Sequence, residues 1–362
     1  MAKKMNDLSN KRIEWIDIAK AVAMILVIIG HSPGLNVLTY RYIVSVHLPV
    51  FFIASGFTSR PAENAKELKA HAVKILKKVF LPAWFLFTVK YFLVWHIGDL
   101  GSFENISSVI KEWIKSSVMF SCIDYHFLKT EYKAVGIIWY ISAYCGLRIL
   151  YDAVEYFFFC LKKKGSLKII PSDKKEYYAD LFHLLAVVCI TAFGVIISDI
   201  TVLPLQIHTS LACFILVYVG RKLKNADFMR LYVFIIMAVL WIPAVNAYVM
   251  VTGEILLFSH GIYPYFPVCY FGAVAGTVTI FYISHLLEKV RVLSAPLKFI
   301  GKNTLIIYFV HYFDDVWFYR LSEVIGEVHI SALIRTAADL AVAALIIAVL
   351  SAAKNKKAVK EV

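Results

Sequence analysis

Stretches of about twenty mostly apolar residues recur along this chain, separated by short polar connections. A helix rises about 1.5 Å per residue, so about twenty residues cross the ~30 Å hydrocarbon core of a bilayer. Backbone polar groups in hydrocarbon must be satisfied within the segment, which a helix does. The recurrence therefore dictates an all-α membrane protein. Spans are expected near 13–31, 40–58, 79–97, 135–158, 181–198, 206–220, 231–248, 264–284, 299–318 and 331–350. They form one transmembrane domain over 1–362, a bundle of about ten transmembrane helices with tails at 1–12 and 352–362. Only 17% of residues are charged, against roughly 25% in a soluble domain, so an ordinary cytosolic enzyme is excluded.

The formal charge of +13 does not indicate a nucleic-acid partner, because the basic residues form no single patch. They sit between the apolar stretches, where they encode orientation. With the N-terminus inside, the inner connections carry 27 Lys and Arg and the outer ones six. That asymmetry predicts cytoplasmic termini, N-in and C-in. The first apolar run contains Asp17 and Lys20 and lacks a small-residue cleavage site, so it is expected to be a retained span. Six cysteines show neither zinc spacing nor a disulfide framework, and no metal is expected. In the longest outer connection, 104–120 places Ile106, Val109, Ile110, Trp113 and Ile114 at helical spacing, as an interfacial helix would. No Gly-rich phosphate loop is present.

Charged groups within apolar spans are costly and mark candidate sites. In the first span Lys20 and His31 stand eleven residues apart, about three turns and ~16 Å along one face. Asp17, one turn before Lys20, is placed to pair with it. The stripe runs from a carboxylate and an ammonium near the cytoplasm to an imidazole much deeper. It is open to two readings: a functional path, or a snorkelling Lys20 and a His31 that only ends the helix. His47 opens the sequence His47-Leu-Pro-Val-Phe-Phe-Ile-Ala-Ser-Gly56 at a similar depth, with Pro49 expected in a first helical turn and Ser55-Gly56 suited to close packing. The ninth span carries Lys302 and Asn303 near its inner end, then Tyr308 and His311. Arg148 lies within the fourth span and needs a partner or an anionic ligand. Trp139-Tyr140 fits an interfacial aromatic belt or an acceptor contact. Lys90 and Asp339 are read as structural partners of other groups. Lys74, Lys77 and Lys78 suit either topology or a phosphorylated donor.

These residues together resemble the acyltransferase-3 family of membrane acyltransferases, in particular its fucose-acetylase-like and exopolysaccharide-modifying branch. The resemblance runs through Trp15-Ile-Asp17-Ile-Ala-Lys20 to Gly30-His31, His47 to Gly56, the basic run to Leu81-Pro82, Trp139-Tyr140, Val217 to Lys222 and Phe299 to His311. Many members have Arg where this chain has Lys20, which offers no bidentate fork. Relatives also often have Arg-x-x-Arg where this chain has Lys74-x-x-Lys77, and Trp-Phe at Trp139-Tyr140. The resemblance implies O-acyl transfer in the bacterial cytoplasmic membrane, from acetyl-CoA or another acyl-CoA to a saccharide hydroxyl, with no tightly bound cofactor. It implies His31 as the catalytic residue with Lys20 in the same motif, held by Asp17. Lys74, Lys77, Lys78, Arg148 and Lys302 are the donor-binding candidates, and His47, Trp139, Tyr308 and His311 the acceptor-binding ones. A transporter or flippase without acyl transfer is the alternative. It predicts inverted repeats and Gly- or Pro-broken spans, whereas Pro243, Pro264 and Pro267 are read as lying toward span ends.

Overall fold

The computed structural model describes residues 12–32, 34–97, 103–127, 130–164, 175–325 and 328–360. The remainder of the two expected tails (1–11 and 361–362) and parts of the connections at 98–102 and 165–174 lie outside them. The described residues are overwhelmingly helical and cluster into two compact units. One comprises residues up to Ala54, Asp227–Asn246 and Phe271 onward; the other comprises Ser55–Ala226 and Ala247–Tyr270.

The first unit holds α1 (Glu14–Gly30) and most of α2 (Val37–Thr58). Later in the chain it takes in parts of α10 (Leu231–Thr252) and α11 (Val268–Leu287), then α12 (Arg291–Lys302), α13 (Thr304–Phe313), α14 (Asp315–Ile325) and α15 (Val328–Lys360). One set of apolar residues on α1, among them Ile18, Ala21, Met24 and Ile28, is almost wholly buried. Trp15 packs edge-on to Phe281 with ring centroids 5.1 Å apart. Helix α12 approaches α1 so closely that a Cβ on Gly301 would overlap the backbone carbonyl of Asp17. Only glycine permits that separation.

The second unit contains α3 (Ala65–Ile75), α4 (Leu81–Lys90), α5 (Phe103–Met119), α6 (Trp139–Lys164), α7 (Lys175–Ile200), α8 (Ile207–Ala212) and α9 (Phe214–Leu223). Asn64 caps α3 by accepting from the Glu67 N–H at 2.9 Å. Glu67 reaches back to the Glu63 N–H, which holds its carboxyl below the usual range. Gly56 lies against the Val217 carbonyl of α9 with no room for a Cβ, so the close packing expected of Ser55-Gly56 is present. The interfacial stretch forms α5, but only part of its apolar set turns inward. Val109 is buried and the Trp113 indole donates to Thr88 Oγ1 at 3.2 Å, while Ile110 and Ile114 stay exposed. A short antiparallel hairpin, β1 (Tyr125–Phe127) with β2 (Thr130–Tyr132), follows where only a loop is expected.

Among the described residues, six helical stretches are long and apolar enough to cross a membrane: Val37–Thr58, Gly136–Lys163, Tyr177–Ile200, Leu231–Thr252, Val268–Leu287 and Ser331–Lys354. They coincide with six of the expected spans. Several bury little of their apolar surface; Ile236 and Val239 on α10 and Leu345 and Val349 on α15 are exposed. Apolar residues on an outward face suit lipid rather than water.

The other four expected stretches are short or interrupted, which corrects the reading of unbroken spans. Helix α1 has 17 residues. The 79–97 stretch is α4 flanked by π-helical turns at Leu76–Phe80 and Tyr91–Trp95. Pro82 has no N–H for the Lys78 carbonyl, and the Leu81 N–H bonds the Leu76 carbonyl in the wider register. The 206–220 stretch breaks at Cys213, and 299–318 breaks at Asn303 and again at Asp314. Asn303 closes α12 with its own amide, which donates to the Phe299 carbonyl at 2.8 Å. Two prolines also sit elsewhere than expected: Pro49 and Pro243 lie inside α2 and α10.

Replacing Gly301 by Ala should lower the unfolding temperature in detergent, by an overpacking cost of about 1–3 kcal/mol. The same change at Gly272, where the nearest atom (Ala244 Cβ) would stand 3.4 Å away, should leave it near wild type. Equal effects would contradict the packing account.

Candidate active site

The first unit carries polar groups at both ends of α1. At the N-terminal end Asp17 is buried and anchored twice. Arg12 donates to it through Nε at 2.5 Å and Nη2 at 3.0 Å, and Lys20 Nζ stands 2.8 Å from Oδ1. The expected Asp17–Lys20 pair is therefore present, with Arg12 as an additional partner. A carboxylate in the first turn also complements the helix dipole. Lys298 on α12 pairs with Glu14 at 2.9 Å, and Lys302 ends that helix exposed.

His31 occupies the C-cap of α1. Its ring Nδ1 lies 2.7 Å from the Val27 carbonyl. A carbonyl only accepts, so Nδ1 carries the proton and Nε2 keeps its lone pair. His47 repeats this arrangement on α2, with Nδ1 3.0 Å from the Ile43 carbonyl. His31 retains an accessible surface, and both His311 and His47 lie within electrostatic reach of it.

Helix C-termini leave backbone carbonyls without partners. Here the His31 carbonyl accepts from Arg335 Nη1 of α15 at 2.7 Å. The same guanidinium grips Asp314 in a two-pronged fork, with Nε and Nη2 each 2.5 Å from a carboxylate oxygen. Its flat face covers Phe318 at 4.2 Å. His311 Nδ1 is placed between Asp314 Oδ2 at 2.8 Å and Asp339 Oδ2 at 3.0 Å. The His31 and His311 rings are 5.3 Å apart, centroid to centroid. All four members, His311, Asp314, Arg335 and Asp339, are buried. Asp314 enters the cluster because the chain breaks there, and Arg335 and Asp339 because four-residue spacing puts them on one face of α15.

His311, Asp314 and Asp339 are grouped closely enough to hold a metal ion. Both oxygens of Asp314 already accept from Arg335, however, and a cation would have to displace a bidentate guanidinium. The set is an ion-paired network rather than an open ligand shell.

The structure thus gathers Asp17, Lys20, Lys302, His31, His47, Tyr308 and His311 in the first unit, the first three toward one end of α1 and the imidazoles at the other. Tyr308 is buried in α13. Lys74, Lys77, Lys78, Arg148 and Trp139 belong to the second unit. The three lysines are exposed on α3 and the π turn after it. Arg148 is buried with Asp152 as its partner at 2.7 Å. Trp139 and Tyr140 are buried at the start of α6, which corrects the belt reading, since a belt residue faces the membrane interface. Lys90 is buried with its ammonium 5.3 Å from the Trp95 ring centroid. Asp339, expected to partner a group that the sequence did not name, meets His311 Nδ1 at 3.0 Å. Arg335 and Asp314 are the residues missed from sequence. The available signal was a second charge one turn before Asp339 inside an apolar stretch.

Fold and site together describe a helical multi-pass membrane protein that collects ionisable groups inside its first unit. A family model described as an acyltransferase domain matches residues 13–353, and the chain belongs to that family, acyltransferase 3. It is a membrane acyltransferase. No curated protein and no solved structure matches the chain.

Removing one partner of a buried pair costs about 3–5 kcal/mol, because the other is left uncompensated. Arg335→Ala and Asp314→Ala should each destabilise the protein strongly in a detergent unfolding assay. The double variant should lose clearly less than the two losses combined; strict additivity would contradict the fork.

Proposed function

We propose that this acyltransferase moves a short acyl group, acetyl first, from cytoplasmic acyl-CoA to a hydroxyl of a cell-surface or exported saccharide. It acts as a ten-span protein of the bacterial cytoplasmic membrane, with both termini inside, as the 27-to-six distribution of Lys and Arg favours. The observation that carries the reading is His31. Its Nδ1 is committed to the Val27 carbonyl, so Nε2 is left as a base on the helix that also carries Lys20 and Asp17.

In this mechanism Nε2 of His31 takes the proton of the acceptor hydroxyl as the oxygen attacks the thioester carbonyl. The C–O bond forms, the C–S bond breaks, and the thiolate leaves as a thiol once protonated. An imidazole suits this role near neutral pH. Transient transfer of the acyl group to Nε2 is the covalent variant of the same chemistry. Lys20, fixed by Asp17, orients the donor. The exposed Lys74, Lys77, Lys78 and Lys302 offer cationic surface to its phosphates, with Arg148 a weaker contributor because Asp152 already pairs with it. His47, Trp139, Tyr308 and His311 are the proposed acceptor contacts.

The interruptions at Pro82, Cys213 and Asn303 favour a second reading, since transporters use broken helices to build their sites. Inverted vesicles given radiolabelled acetyl-CoA separate the two. Label should accumulate on glycan, and His31→Ala should lower transfer by about 10²-fold or more while the protein still folds and inserts. Full transfer by that variant would refute the mechanism, and absence of labelled glycan in wild type would favour transport.

A further inference from the structure

The buried cluster beside His31 has an unbalanced charge. Asp314 and Asp339 are two carboxylates and Arg335 is one guanidinium, so the three alone leave one negative charge within an apolar unit. An uncompensated charge there is expensive. One further proton neutralises the set, and two groups are placed to hold it: the His311 ring and the Asp339 carboxyl, 3.0 Å apart. Asp314 is less suited, because both its oxygens accept from Arg335. Each of the two groups keeps one uncommitted atom. His311 Nε2 and Asp339 Oδ1 are buried and have no hydrogen-bond partner among the described residues. His311 Nδ1 faces the carboxylates, so Nε2 is the nitrogen left for chemistry, on a ring 5.3 Å from that of His31.

We infer that His311 is a second catalytic imidazole, the general acid of the transfer, and that Asp339 is its positioning residue. The inference rests on the acyl-transfer reading above and assigns His311 a role beyond acceptor contact. As the acceptor oxygen attacks, its proton passes to His31 Nε2 and the C–O bond forms. The C–S bond breaks with its electron pair going to sulfur, and the sulfur takes the proton from His311 Nε2. The proton on His31 then returns to the His311–Asp339 pair, which restores both imidazoles. The net change is thioester plus alcohol to ester plus thiol, with no proton left over. The charged and titratable groups facing His311 are His31 from α1, Asp314 from the α13–α14 junction, and Arg335 and Asp339 from α15.

The test follows transfer from radiolabelled acetyl-CoA to vesicle glycan, across the neutral and alkaline range, in wild type, His311→Gln and Asp339→Asn. Gln keeps an N–H for the carboxylates and Asn keeps the size of Asp, so either variant serves if the other fails to fold. A wild-type profile with an acid and a base should rise and then fall. Both variants should lose about 10²-fold in rate, and their alkaline descent should vanish, while their detergent unfolding stays cooperative. A wild-type rate, or a reduced rate with the descent intact, overturns the inference. His31→Ala separates the two claims. If it still transfers acyl groups, the acyl-transfer mechanism fails; if it is inactive while His311→Gln behaves as wild type, only the role of His311 fails.

Discussion

The arrangement in the first unit depends on one guanidinium. Arg335 donates to both oxygens of Asp314 and to the His31 carbonyl, so a single planar group ties the C-terminus of α1 to the α13–α14 junction and to α15. A lysine in its place would be a point charge unable to make the fork. The interaction solves two problems at once. It gives the end of α1 a donor for an orphaned carbonyl, and it offsets one of the two carboxylates that hold His311.

The opposite end of α1 is organised by steric closeness as well as charge. Gly301 lets α12 reach the Asp17 backbone, and Asp17 in turn gathers Arg12 and Lys20. The two ends have different solvation needs. The Lys20 side chain remains partly exposed, whereas those of His311 and Asp314 are buried.

Much of this was legible in sequence because hydrophobic length is a local property. The six long apolar helices coincide with six expected stretches, and the Asp17–Lys20 pair follows from helical spacing. Interruptions were harder to see. Asn303 stands in an apolar run that reads as continuous, and the break is visible only once its amide is bonded to Phe299. Pro82 was in view, yet nothing local says that the chain would widen into a π turn rather than stop. Asp314 and Arg335 both lie inside stretches that read as apolar spans, 299–318 and 331–350, and neither stands out there. Their pairing joins residues distant in sequence, and one sequence carries no sign of it. Trp139 and Tyr140 were misplaced for the related reason that burial is a tertiary property.

In the proposed mechanism the acyl transfer passes through His31, whose Nδ1 contact with the Val27 carbonyl leaves Nε2 with its lone pair. Diethyl pyrocarbonate acylates neutral imidazole nitrogen, and peptide mass spectrometry locates the adduct. Treatment of the protein in membranes should modify His31 in step with loss of acyl transfer, and acetyl-CoA present beforehand should protect both. Activity lost while His31 remains unmodified, or retained after His31 is fully modified, would contradict the account.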